Sequence, residues 1–147
     1  MKILMTDDDS DDRMMALFAF KKLNAAHSLD FVTNGQELID YLNLRINSGG
    51  ELPDLILLDL NMPKKDGREA LAEIKSDPRL NKLDIIIFST SSSQKDRDYT
   101  LGLGARKFII KPTGQNELVK LFREICEELS IRPGWRYSFA KSGSKSK

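Results

Sequence analysis

Apolar residues follow two rhythms along this chain. Leu55-Ile56-Leu57-Leu58 is continuous, without alternation, as in a strand covered on both faces of a parallel α/β sheet. Lys2-Ile3-Leu4-Met5-Thr6, Leu29-Asp30-Phe31-Val32, Ile85-Ile86-Ile87-Phe88 and Lys107-Phe108-Ile109-Ile110 are further short runs of strand type. Between them the apolar positions repeat at helical spacing. One helix carries Met14, Leu17 and Phe18 with Ala16, Phe20 and Leu23; a second carries Leu38, Ile39, Leu42 and Ile46; a third, over 68–75, carries Ala70, Leu71 and Ile74. Leu118, Leu121, Phe122, Ile125, Cys126 and Leu129 form the stripe of the last helix. The stretch 94–103 is predicted as a weaker helix, mostly polar and interrupted by Gly102, with the thin packing that suits a movable element.

Polar and turn residues punctuate this pattern. Ser10 or Asp11 is the expected N-cap of the first helix, with acids in its favourable first turn. Asn34-Gly35 opens the second helix, and Asn47-Ser48-Gly49-Gly50-Glu51 reads as a turn before Pro53. Asp77-Pro78 stops the third, because proline disfavours helical geometry at the residue before it. Five strand-then-helix units with short links predict an α/β fold: a doubly wound five-stranded parallel sheet with helices on both faces. There is no solenoid repeat and no Gly-rich phosphate loop.

At 147 residues the chain is long enough for one ordinary domain without a metal or disulfide to hold it. Cys126 is the single cysteine and lies on the apolar stripe, so it reads as a small core residue. With no secretory or membrane-spanning apolar segment, a reducing, cytoplasmic setting and no membrane partner are expected. The formal charge is +1, but Arg132, Arg136, Lys141, Lys145 and Lys147 meet no acid after residue 130, so the body carries −4. His27, at a helix-to-strand link, reads as a surface residue with no phosphodonor role.

Candidate chemistry gathers at the carboxyl ends of the strands, where open α/β sheets bind their ligands. Asp7 and Asp8 follow the first strand, Asp59 the third, Ser89 and Thr90 the fourth, and Lys111 the fifth. Hard oxygen donors with few neutral partners suit Mg²⁺. A carboxylate, a divalent ion, a lysine and a hydroxyl at one point suit phosphoryl transfer, which needs positioning and charge neutralisation more than a strong base. Asp59 is the expected nucleophile. A calcium loop at Asp7, Asp9 and Asp11 fails at its sixth position, Asp12, and its twelfth, Phe18. An electrostatic helix cap alone accounts for the acid run but not for Asp59. An aspartate-nucleophile phosphatase starting at Asp7-Asp8-Asp9 would make the strand-one acid the nucleophile instead.

The ordered set Asp7-Asp8, Asp59 with Asn61-Met62-Pro63 and Asp66-Gly67, Ser89, Phe108 and Lys111-Pro112 resembles the receiver domain of two-component response regulators. The resemblance implies a (βα)5 flavodoxin-like fold with strand order 2-1-3-4-5, a receiver over 1–130 and a basic, aromatic tail over 131–147. It implies that Asp59 accepts a phosphoryl group from a sensor histidine kinase or phosphotransfer protein. Mg²⁺ would be held by Asp8, Asp59 and the Asn61 backbone carbonyl, with Asp7 acting through water, and Lys111 would contact the phosphoryl group. Ser89 stands where the family has its swinging hydroxyl and Phe108 where it has its aromatic switch, which without a hydroxyl reports only by burial.

Such a chain is no enzyme beyond its own phosphorylation and slow autodephosphorylation. The 17 or so residues after 131 are too few for a DNA-binding or enzymatic output module, so the expected output is a surface read by a downstream protein, without nucleic acid. A degenerate receiver that binds partners without being phosphorylated is the alternative, and the intact acids and Lys111 argue against it. The link around 43–53 and the tail resemble stand-alone receivers paired with phytochrome-type kinases. In the tail, Trp135, Tyr137 and Phe139 fall on alternate positions, and the segment is expected to pack on its own domain or on a second copy in a homodimer.

Overall fold

The computed structural model describes residues 1–23 and 27–131, with side chains as far as residue 128. The expectations for the tail, including packing by Trp135, Tyr137 and Phe139, lie outside the described residues, as does the side chain of Leu129. The elements run β1 (Lys2–Thr6), α1 (Ser10–Lys21), β2 (Ser28–Val32), α2 (Gly35–Ser48), β3 (Leu55–Leu58), α3 (Gly67–Ser76), β4 (Ile85–Ser89), α4 (Gln94–Leu103), β5 (Lys107–Ile110) and α5 (Gln115–Ile131). All strand pairs are parallel and the order is β2-β1-β3-β4-β5, as expected.

The pleat divides the apolar residues between two cores. Leu4, Ile56, Leu58, Ile85 and Ile87 face α2 and α3, whereas Ile3, Met5, Leu55, Leu57, Ile86 and Phe88 face α1 and α5. This explains why β3 reads as an unbroken apolar run: both of its faces are covered. Cys126 is a buried free thiol in the second core, as expected. His27 is half-buried rather than on the open surface, and desolvation pushes its imidazole below the ordinary value.

Three readings of the sequence need correction. The N-cap of α1 is Asp9, not Ser10 or Asp11; its carboxylate accepts from the backbone N–H groups of Asp11 and Asp12. On α1 the buried positions are Ala16 and Ala19, while Met14 and Phe18 are 54% and 52% exposed. Two small residues let α1 approach its neighbours, and Met15, Phe20 and Leu23 pack beside them, which turns Met14 and Phe18 outward. Finally, α2 runs on through Asn43, Asn47 and Ser48 to Gly49, whose φ of 74° ends it, so no long link spans 43–53.

Helix α4 buries only Thr100, so other contacts must fix its start. Arg68 on α3 makes a two-pronged ion pair with Asp96, Nε to Oδ1 and Nη2 to Oδ2, both at 2.7 Å, and the Ser91 hydroxyl donates to Asp96 Oδ2 at 3.0 Å. The hydrogen bonds from Arg68 hold the Asp96 carboxyl below its ordinary 3.8. A depressed folded-state value means stability that is complete above the unfolded value and lost as pH falls through the folded one. Thermal unfolding from pH 6 downward should therefore show Asp96→Asn less stable than wild type near neutrality, with the gap closing below about pH 4. A gap independent of pH would assign the loss to packing rather than to the ion pair.

Candidate phosphoryl-transfer site

Strand register brings the polar residues to one edge of the sheet. Thr6 is paired with Leu58, and Leu58 with Ile87, so Asp7 and Asp59 leave adjacent strands at the same level. The ladder continues past the strand ends: Asp7 N–H donates to Val32 O and Asp59 N–H to Thr6 O, each at 3.1 Å, and Lys111 N–H donates to Ser89 O at 2.8 Å. Backbone bonds thus fix the bases of Asp7, Asp59 and Lys111.

One oxygen from each of Asp7, Asp8 and Asp59 lies within 4.8 Å of the others, a set of hard donors suited to a divalent cation. Asp7 and Asp59 are buried and Asp8 is exposed, so the cluster opens to solvent on the Asp8 side. Lys111 Nζ lies 2.6 Å from Asp7 Oδ2, 2.9 Å from Asp12 Oδ2 and 3.4 Å from Asp59 Oδ2. It also stands 6.0 Å from the Phe88 ring centroid. Asp7 Oδ1 accepts from Asp9 N–H at 2.9 Å, and Asp59 Oδ1 from Leu60 N–H at 2.8 Å.

Burial pushes the Asp7 carboxyl above its ordinary value, against the lowering by its hydrogen bond from Lys111. Burial also disfavours the Lys111 ammonium, but the carboxylates of Asp12, Asp7 and Asp59 outweigh it and hold the group above its ordinary value. The direction that governs the site is the second: Lys111 is charged, because it faces three carboxylates while Asp7 faces one ammonium.

Ser89 is fully buried at the end of β4, and its hydroxyl accepts from Ser91 N–H at 3.3 Å. Phe108 is buried on β5, with the Arg97 guanidinium of α4 at 5.0 Å from its ring centroid. Asn61 is exposed, two residues beyond Asp59. The loop between β3 and α3 is tied down by Gly67 N–H donating to Leu60 O and Gly35 N–H donating to Lys65 O, each at 2.9 Å. Asp66 closes it as the N-cap of α3, in a reciprocal capping box with Glu69. Three contributions escaped the sequence reading: Asp12 on Lys111, Arg13 Nη1 donating to Asp7 O at 2.8 Å, and the Arg97–Phe108 stack. The acids of α1 were visible as a run, but which of them turns toward residue 111 depends on the helix phase.

Crowding Asp7, Asp8 and Asp59 leaves a net negative charge that Lys111 only partly offsets, and this costs Coulomb energy when no metal ion is bound. In EDTA, Asp8→Asn should melt a few degrees above wild type. Adding Mg²⁺ should stabilise the wild type by about 1.4 kcal/mol at ten times the dissociation constant, and the variant much less. Identical melting of the two proteins in both conditions would remove Asp8 from the metal site.

A family model described as the response regulator receiver domain matches residues 3–123. The probable methanogenesis regulatory protein FilR2 of Methanothrix harundinacea is 32% identical, over 85% of this chain and 81% of the relative. Response regulator Rcp1 of Synechocystis is also 32% identical, over 84% of each chain. Among solved structures, the phosphorylated cyanobacterial phytochrome response regulator RcpA superimposes with a TM-score of 0.78 at 36% identity, covering 88% of this chain and 93% of that one. The Mn²⁺-bound form of Rcp1 gives 0.76 at 31% identity, over 86% and 91%. Among the described residues no helix is long and apolar enough to cross a membrane. With two thirds or more of both chains shared and the acids and lysine of the motif at one sheet edge, this chain belongs to the response regulator receiver domain family and is close to the stand-alone phytochrome regulators.

Proposed function

We propose that Asp59 is the phosphoacceptor of a two-component phosphorelay, loaded by a sensor histidine kinase or phosphotransfer protein in a Mg²⁺-dependent reaction. The observation that carries this reading is the Lys111 ammonium between Asp7 and Asp59, beside three carboxylate oxygens within 4.8 Å. An Asp59 carboxylate oxygen forms the new bond to phosphorus, the P–N bond of the phosphohistidine breaks, and the imidazole keeps the electron pair. Lys111 holds a phosphoryl oxygen as charge moves onto it. Asp8, Asp59 and the Asn61 carbonyl would hold the metal, with Asp7 acting through water; the donors are all hard oxygens and fit the ion. Bound there, Mg²⁺ supplies charge neutralisation for the phosphoryl oxygens.

Ser89 would donate its hydroxyl to a phosphoryl oxygen while still accepting from Ser91 N–H, drawing the start of α4 with it. Phe108 would then change its burial beneath Arg97, altering the surface that a downstream protein reads. We assign residues 1–130 to the receiver and 131–147 to a tail. The similarity to Rcp1 and RcpA supports a phytochrome-type kinase as the donor.

The test is incubation of the full chain with acetyl phosphate, with and without Mg²⁺, followed by intact-mass measurement. One phosphoryl group should be gained with Mg²⁺ and none in EDTA. No gain in either condition would leave the phosphorylation-independent binding module as the better reading.

A further inference from the structure

We propose that Asp12 is a positioning residue for phosphoryl transfer: it anchors Lys111 from helix α1 so that the ammonium stays aimed at Asp59. This rests on the reading of Asp59 as the phosphoacceptor. A lysine ammonium has three N–H donors, and Lys111 has three carboxylate acceptors, Asp7 at 2.6 Å, Asp12 at 2.9 Å and Asp59 at 3.4 Å. A phosphoryl oxygen on Asp59 must therefore displace one of them. The longest contact, to Asp59 itself, is the first to go. Asp7 and Asp12 then remain as a two-point anchor that fixes the direction of the third N–H.

An acid in the first turn of a helix is ordinarily explained by the helix dipole. Asp11 fits that account: it lies in the same turn, is exposed and enters no ion pair among the described residues. Asp12 does not fit it alone. It is 33% exposed, yet its carboxylate reaches an ammonium that is only 9% exposed and lies 99 positions along the chain.

The first turn of α1 is itself held to the site, by the Asp9 cap and by Arg13 donating to Asp7 O at 2.8 Å, so Asp12 presents its carboxylate from a fixed base. Beside the pair is a crevice of about 30 Å³ lined by Asp12, Met15, Ala16, Phe88, Lys111 and Pro112. That is room for a water or two. Without the Asp12 carboxylate, Lys111 has space to swing away from Asp59, and a misplacement on the order of 1 Å is expensive in transfer reactions.

Two readouts on the full chain test this. In metal-free protein, NMR of the lysine ammonium groups should show Lys111 as a signal protected from exchange in wild type, assigned by its loss in Lys111→Arg. That signal should broaden away in Asp12→Ala and persist in Asp12→Asn, which keeps an oxygen acceptor. With acetyl phosphate and Mg²⁺, phosphorylation should slow about tenfold in Asp12→Ala, less than about threefold in Asp12→Asn, and not at all in Asp11→Ala. Wild-type rate and an unchanged Lys111 signal in Asp12→Ala would overturn the proposal. So would equal loss in Asp12→Asn and Asp12→Ala, since charge and not direction would then be at work. Should Asp12→Ala fail to fold, Asp12→Glu, which displaces the carboxylate by one methylene, replaces it with the same two readouts. If wild type takes up no phosphate while the Lys111 signal still depends on Asp12, the phosphoacceptor reading has failed and the anchor stands.

Discussion

Asp59→Asn should take up no phosphoryl group under conditions where the wild type takes up one, a fall of at least about 100-fold in initial rate. The amide offers no anionic oxygen to attack phosphorus, so the acyl phosphate cannot form. Neighbouring acids are poor substitutes. Asp7 is fully buried, with Oδ1 accepting from Asp9 N–H and Oδ2 from Lys111. Asp12 also spends an oxygen on Lys111, and Asp9 caps α1. Asp8 alone is exposed with its carboxylate in the cluster, so any residual label should map to it. Intact mass followed by peptide mapping decides the matter, and equal uptake by wild type and variant would defeat the assignment. Lys111→Ala is a less clean comparison, because it leaves the buried Asp7 carboxylate without its counter-charge, a change that typically destabilises by about 3–5 kcal/mol. Lys111→Arg keeps the charge and is the better control.

The parts of this molecule that were legible in the sequence are those set by local chemistry. Helix α4 and strand β5 have the predicted bounds because Ser93 caps the one and Gly104, at φ 113°, separates the two. Strand β3 stands out because a central strand covered on both faces needs apolar residues at every position. Asp7, Asp8, Asp59, Ser89 and Lys111 stand at or just beyond strand ends, so a list of strand ends already contained these candidates, whereas Phe108 lies within β5 and Asn61 in the loop after β3.

What was not legible depends on the phase or the distance of partners. Asp9, Ser10 and Asp11 are all capping types, and only the path of the chain after Asp7 selects Asp9. Helix α1 has apolar residues on two stripes, and the packing of Ala16 and Ala19 decides which is buried. Helix α2 outran its reading because Asn43, Asn47 and Ser48 look like turn residues, whereas the helix stops only where Gly49 takes a left-handed conformation. The Arg68–Asp96 pair spans 28 positions and the Lys111–Asp12 pair 99, and neither residue type signals its partner.

Gly67 is named in the Asp66-Gly67 motif, but the close approach that constrains it is not visible in the sequence, and its substitution should produce a large loss of stability. In a helix interior a glycine gains about 1 kcal/mol on becoming alanine, and at this first position of α3 a smaller gain would ordinarily be expected. Here an added Cβ would overlap the Asp59 carbonyl oxygen and lie 2.8 Å from Leu60 Cα and 2.9 Å from the Asp59 carbonyl carbon. These are backbone atoms, held by Gly67 N–H donating to Leu60 O, and they cannot turn aside as a side-chain tip would. Gly67→Ala should therefore lose about 3 kcal/mol or more, which for a chain of this length lowers the melting temperature by about 10 °C. Because the displaced carbonyl belongs to Asp59, the phosphorylation rate should fall with stability. Gly102→Ala is the contrasting case. It sits inside α4 with nothing within 4 Å of its added Cβ, so it should gain about 1 kcal/mol and leave the rate unchanged. Thermal melts of the two variants beside wild type check both signs; a Gly67→Ala protein as stable as wild type would mean that the close approach of α3 to the Asp59 backbone is not a constraint on the fold.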